Sequence, residues 1–124
     1  MDFKAETVPF NRQLLLLLTT FTNMYIRYYT YWMVFEWDEA KNLSNQKKHN
    51  VSFEDATTVF TDPLAFIRPD PGSHSEERWQ IIGKVHGLVI ALVVYVVKDE
   101  DAEVYRLVSA RKVTTHERKA YENS

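Results

Sequence analysis

The sequence has no cysteine, which excludes disulfides and thiolate metal ligands and fits a reducing compartment. Its three glycines are too scattered for a glycine-rich phosphate loop, and no nucleophile elbow is present. Nucleoside triphosphate hydrolysis and serine-hydrolase chemistry are therefore not expected. The four histidines, His49, His74, His86 and His116, share no zinc-ligand spacing, so neither a metal site nor a cofactor is expected. No apolar run reaches the roughly 20 residues of a membrane span. The leucine block Leu14–Leu18 is interrupted by Thr19 and Thr20, and the basic n-region and small-residue cleavage site of a signal peptide are also missing. A large excess of either charge sign is absent as well. The formal net charge is −2, so contact with a nucleic acid would depend on a local basic patch against an acidic background.

What is present suffices for one domain: 124 residues, of which 45% are hydrophobic, enough for a core and too short for two comfortable domains. Residues 1–32 differ from the rest, with the leucine block and a Thr- and Tyr-rich run ending at Trp32. Met33 stands directly before the more regular pattern. The expected organisation is therefore an upstream extension or helical arm over 1–32 and a domain over 33–124.

From Val34 the pattern alternates cleanly. Val34-Phe35-Glu36 reads as a strand, and a helix begins near Asp38, a good N-cap, with Glu39 suiting the positive end of the dipole. That helix has only Ala40 and Leu43 as apolar residues before His49, while Lys41, Asn45, Lys48 and His49 fall on one face. Asn50 is a plausible left-handed stop. Ser52 caps a second helix in which Phe53, Ala56, Thr57 and Phe60 repeat at core-packing spacing, ended by Asp62-Pro63. Strands follow at Leu64–Arg68, Arg78–Lys84, Leu88–Val97 and Glu103–Ala110, the third an unbroken, valine-rich run expected at the centre of the sheet. In the fourth, Tyr105, Leu107, Ser109 and Arg111 are expected to share one face. Thr114 with Glu117 makes a capping box for a last helix. Consecutive strands with short turns predict an α+β fold: an antiparallel meander packed against two N-terminal helices and one C-terminal helix.

The pattern W-D-x-x-K-x-x-x-N-x-x-K-H-x-V-x-F over Trp37–Phe53 resembles the opening of the BrnT family of ribonuclease toxins. The resemblance continues through Glu54-Asp55-Ala56, Val59-Phe60, Asp62-Pro63 and Glu77-Arg78-Trp79, and ends with Ser109-Ala110-Arg111-Lys112, Glu117-Arg118 and Tyr121-Glu122. It implies a RelE-like toxin fold, cytoplasmic action on an RNA substrate, and cleavage that arrests translation. It also implies a BrnA-like antitoxin, joined through an antitoxin dimer into a heterotetramer, with operator DNA reached only through the antitoxin and no membrane involved.

Metal-independent RNA cleavage needs a base for the 2′-hydroxyl, cations for the charged phosphorane and an acid for the leaving 5′-oxygen. Arg111 and Arg78 could clamp a phosphate bidentately, and Lys41 and Lys48 could neutralise it. A histidine such as His49 suits proton transfer near neutrality. Glu77 or Glu117 could act as base, and Trp37 or Tyr105 could stack on a nucleobase. Asn45, Ser109 and the loop residue His74 complete the candidate RNA contacts. Structural roles stand beside these: a core position for Trp37, a cap for Glu117, and interaction of His49 with the last helical carbonyls. The alternative function is a non-catalytic toxin-fold module acting as antitoxin partner and co-repressor. Charge favours it slightly. With Asp2, Lys4, Glu6, Arg12 and Arg27 set aside, residues 33–124 carry 12 Lys and Arg against 15 Asp and Glu.

Overall fold

The computed structural model describes residues 25–30, 33–72 and 75–124. The expectations for His74 and for the leucine block lie outside the described residues. The chain order is β1 (Tyr25–Thr30), β2 (Met33–Asp38), α1 (Glu39–His49), α2 (Phe53–Ala56), a 3-10 helix (Thr57–Thr61), β3 (Phe66–Pro69), β4 (Trp79–Val85), β5 (Val89–Asp99), β6 (Val104–Lys112) and α3 (Thr115–Glu122).

The helix ends follow local chemistry. Asp38 accepts from the amides of Ala40 and Lys41, and Asn50 turns left-handed at φ 59°, its own amide returning to Gln46. Ser52 caps α2 through the Asp55 amide at 3.0 Å. The expected regular second helix tightens into a 3-10 turn after Ala56. There the hydroxyls of Thr57, Thr58 and Thr61 donate back to the carbonyls of Glu54, Asp55 and Thr58, the local competition that Ser and Thr introduce into helices. The capping box of Thr114 and Glu117 starts α3.

The sheet order is β1-β2-β6-β5-β4-β3. From β3 to β6 it is the expected antiparallel meander. The expectation of a wholly antiparallel sheet is corrected at β2, which lies beside β6 and parallel to it, Val34 facing Val104 and Glu36 facing Arg106. Short turns dictate antiparallel neighbours. The long excursion from β2 through the helices and hairpins carries no such signal, and it returns the chain in the original direction. β1 pairs antiparallel with β2 across six positions, so the sheet extends N-terminal to Met33. The result is a mixed sheet in an α+β fold.

β5 is buried on both faces for most of its length. One face packs Phe35, Trp37, Tyr95 and Leu107 under α1 and α2 around Phe53. The other packs Ile82, Ile90 and Leu92 against Tyr121 of α3, whose hydroxyl donates to Asp62 Oδ2 at 2.7 Å.

A register shift in β6 alters which residues share a face. Val94 faces Ser109 but Tyr95 faces Leu107, so Val108 is an extra residue and the alternation inverts there. The expected face of Tyr105, Leu107, Ser109 and Arg111 is thus corrected. Tyr105, Leu107 and Ala110 belong to the α1 face of the sheet, while Arg106, Ser109 and Arg111 belong to the α3 face. Among the described residues no helix is long and apolar enough to cross a membrane.

Candidate nucleic-acid interface

α1 attaches to the sheet without an apolar stripe. Its buried side chains are Asn42 and Asn45, while Leu43 is 60% exposed. Asn42 donates to Glu54 Oε1 at 2.8 Å and accepts from the Phe53 amide at 2.8 Å. Asn45 accepts from the Ala110 amide at 3.1 Å and donates to the Ala110 carbonyl at 2.7 Å and the Val51 carbonyl at 3.0 Å. The parallel pairing of β2 with β6 runs no further than Arg106, and beyond it the Asn45 amide supplies the strand-like donor and acceptor. This satisfies backbone groups that would otherwise be buried unpaired.

Between α1 and this part of β6 lies an open groove of about 390 Å³, lined by Ala40, Lys41, Ser44, Asn45, Lys48, His49, Val108 and Ser109. Lys41 and Lys48 are exposed and His49 is half-buried. The i, i+7 and i+8 spacing of Lys41, Lys48 and His49 sets their charges along one wall, opposite the Ser109 segment. Such a wall attracts an anionic backbone at short range. Lys48 and His49 also lie in the last helical turn, where positive charge suits the dipole. Asn45 lines this groove while each of its amide groups is engaged with the backbone, a structural clamp at the groove floor.

The arginines expected in the site lie elsewhere. Arg111 Nη1 and Nη2 donate to the two carboxylate oxygens of Glu117 at 2.8 Å each. Glu117 Oε1 also accepts the Thr114 amide at 2.9 Å. The hydrogen-bonded Arg111 guanidinium is the main reason that the Glu117 carboxyl is held down to about 2. A carboxylate of such weak basicity is poorly matched to accept a proton near neutrality. Arg78 is half-buried and stands 4.0 Å from Glu76; Glu77 is exposed.

Neither aromatic candidate offers a free ring. Trp37 is fully buried, edge-on to Phe53 with centroids 6.0 Å apart, and its indole N–H donates to Glu39 at 3.0 Å. Tyr105 packs with Phe35, Phe60 and Tyr95 on the face opposite Ser109 and Arg111. Burial, followed by the neighbouring Glu103, raises its hydroxyl above the ordinary tyrosine value. Trp37 is thus a core residue rather than a stacking platform, and Tyr105 is half-buried, its ring packed against the core.

Three polar residues on the α3 face had no place in the sequence reading. Arg68 Nε donates to Gln80 Oε1 at 2.7 Å, and Gln80 Nε2 donates to Asp70 Oδ1 at 2.7 Å. Arg106 Nη2 donates to Glu36 at 3.0 Å. The only sequence signal for the first two was the β3–β4 hairpin, whose register pairs Arg68 with Gln80; Arg106 was hidden by the Val108 bulge. Among the described residues no group of three or more His, Asp or Glu side chains is arranged to hold a metal ion.

A mixed sheet with α1 and α2 on one face, α3 on the other and a lysine-lined groove at its β6 edge defines a small α+β protein with a surface suited to an anionic ligand. A family model described as the ribonuclease toxin, BrnT, of type II toxin–antitoxin systems matches residues 37–117, well over half of the chain. The chain belongs to the BrnT family, and membership implies an antitoxin partner. The crystal structure of the Brucella abortus ribonuclease toxin BrnT is similar, at 28% identity and a TM-score of 0.46, covering 64% of this chain and 94% of that one. No curated protein matches the chain.

Proposed function

We propose that this BrnT-family ribonuclease toxin is a metal-independent endoribonuclease that cuts RNA in the cytoplasm, arrests translation and is neutralised by a BrnA-like antitoxin. The observation that carries the reading is the gathering of Lys41, Lys48, His49 and Ser109 around one groove in a chain of a ribonuclease family. In this reading Lys41 and Lys48 neutralise the scissile phosphate, the charge stabilisation on which phosphoryl transfer chiefly depends. His49 moves a proton to or from the reacting oxygens, and Ser109 orients a phosphate oxygen. Glu77 and Arg78 stand outside the groove and join it only if the substrate extends to them. The antitoxin, through its dimer, would assemble a heterotetramer and reach operator DNA. We assign the fold to the RelE-like class, as the BrnT-family match and the α+β meander imply.

The test is cleavage of a single-stranded RNA by the full chain in EDTA, beside Lys48→Ala and His49→Ala. Loss of a group that stabilises or protonates the transition state should lower the rate on the order of a hundredfold, with folding unchanged by circular dichroism. Equal cleavage by the variants would remove the groove from the mechanism. Binding without cleavage by the parent would favour the non-catalytic partner reading, which the net charge of −2 and the engagement of Arg111 by Glu117 support.

A further inference from the structure

Arg68 and Arg111 come from β3 and β6, on either side of β4 and β5, and meet at one carboxylate. Glu117 takes two 2.8 Å bonds from Arg111, and Arg68 Nη2 stands 3.8 Å from Glu117 Oε2. The acid is recessed and the cations face outward: the Glu117 side chain is 11% exposed, against 38% for Arg68 and 36% for Arg111. A carboxylate already held bidentately adds little for a second, partly exposed arginine at that distance. Yet Arg68 is oriented with care, its Nε bonded to Gln80, which is itself held by Asp70.

We propose that Arg68 and Arg111 form a phosphate-binding pair on the α3 face of the sheet, with Glu117 and Gln80 as positioning residues beneath it. The ligand class is the phosphodiester of a single-stranded RNA, so the proposal rests on the ribonuclease reading and extends its site. Glu117 alone cannot neutralise both guanidinium ions, and Asp70, the next carboxylate, is bonded to Gln80. Glu117 engages the Nη1–Nη2 edge of Arg111 and leaves the Nε–Nη2 edge directed away from it. That second edge has the planar fork geometry that matches two phosphate oxygens. The bulge at Val108 places Ser109 on the same face of β6 as Arg111, and Ser109 also lines the α1 groove. An RNA strand leaving the groove at Ser109 therefore meets the pair next, about 7 Å further along the strand.

The experiment measures binding of a 2′-O-methylated, uncleavable single-stranded oligoribonucleotide to the full chain across a range of salt concentrations. Cleavage of the unmodified RNA by the parent is followed separately. Arg68→Gln should weaken binding about tenfold and lower the slope of log K against log salt by about 0.7, one phosphate contact on a single strand. Glu117→Gln keeps an acceptor for the helix cap and removes a negative charge, so Coulomb attraction alone would strengthen binding. The positioning role predicts weaker binding instead, with the parent's melting temperature largely kept by the cap. An unchanged slope in Arg68→Gln, or tighter binding in Glu117→Gln, would overturn the pair while parental cleavage left the ribonuclease reading standing. A parent that neither binds nor cuts RNA would overturn both.

Discussion

Glu117 joins three requirements in one side chain. Its oxygens accept the Arg111 fork and the Thr114 amide, and its backbone amide completes the capping box by donating to Thr114 Oγ1 at 3.2 Å. Its folded carboxyl lies at about 2 against an ordinary 4.5, chiefly because of Arg111. A depressed acid stabilises the folded state above its unfolded value, and that contribution is lost as the pH falls through the folded one. Stability should therefore decline from about pH 4.5 toward about pH 2 in proportion to this residue's share. Unfolding free energies of the parent and Glu117→Gln, taken by urea titration at several pH values, should converge on acidification and run parallel above that window. Curves that stay parallel throughout would mean that the ion pair adds nothing to folding.

At the scale of elements, α1 is the unusual one, because two amides take the place of an apolar stripe. Asn45→Ala would strand the Ala110 amide and carbonyl and the Val51 carbonyl, and leaving buried backbone groups unsatisfied costs on the order of 1–3 kcal/mol. Leu43→Ala, at a position 60% exposed, should change stability by less than about 0.5 kcal/mol. Chemical denaturation of the two variants checks this inversion of the usual helix rule, and a larger loss for Leu43→Ala would refute it. The start and stop of α1 were legible because Asp38 and Asn50 act locally, as were the capping box of α3 and the doubly buried run of β5. The position of β2 was not legible, since its partner lies across the whole domain. Nor was the bulge: Val108 looks like any other β-branched strand residue, and only the β5–β6 register shows that it is extra. That one residue moved Ser109 and Arg111 away from Tyr105 and brought Arg106 to their side. The lysines and His49 of the groove were legible because helical spacing alone places them together. The contacts of the arginines were not, because their partners come from other elements: Glu117 from α3, Gln80 from β4 and Glu36 from β2.

For the whole molecule, a net charge of −2 opposes the approach of RNA while the groove favours it. Distance decides between them. At about 0.1 M salt charges more than about 10 Å apart are largely screened, so the total charge fades and the nearest cations dominate. Binding should thus depend on where lysines sit and hardly on how many there are. Lys41 and Lys48 line the groove, whereas Lys47 belongs to the same helix without lining it and Lys98 sits exposed at the end of β5. Lys41→Gln with Lys48→Gln should lower the salt slope for a single-stranded RNA by about 1.4, two phosphate contacts at about 0.7 each. Lys47→Gln with Lys98→Gln makes the same change in net charge and should leave the slope near that of the parent. Equal slopes for the two double variants would show that the molecule meets RNA through its overall field, and the groove between α1 and β6 would lose its claim to be the interface.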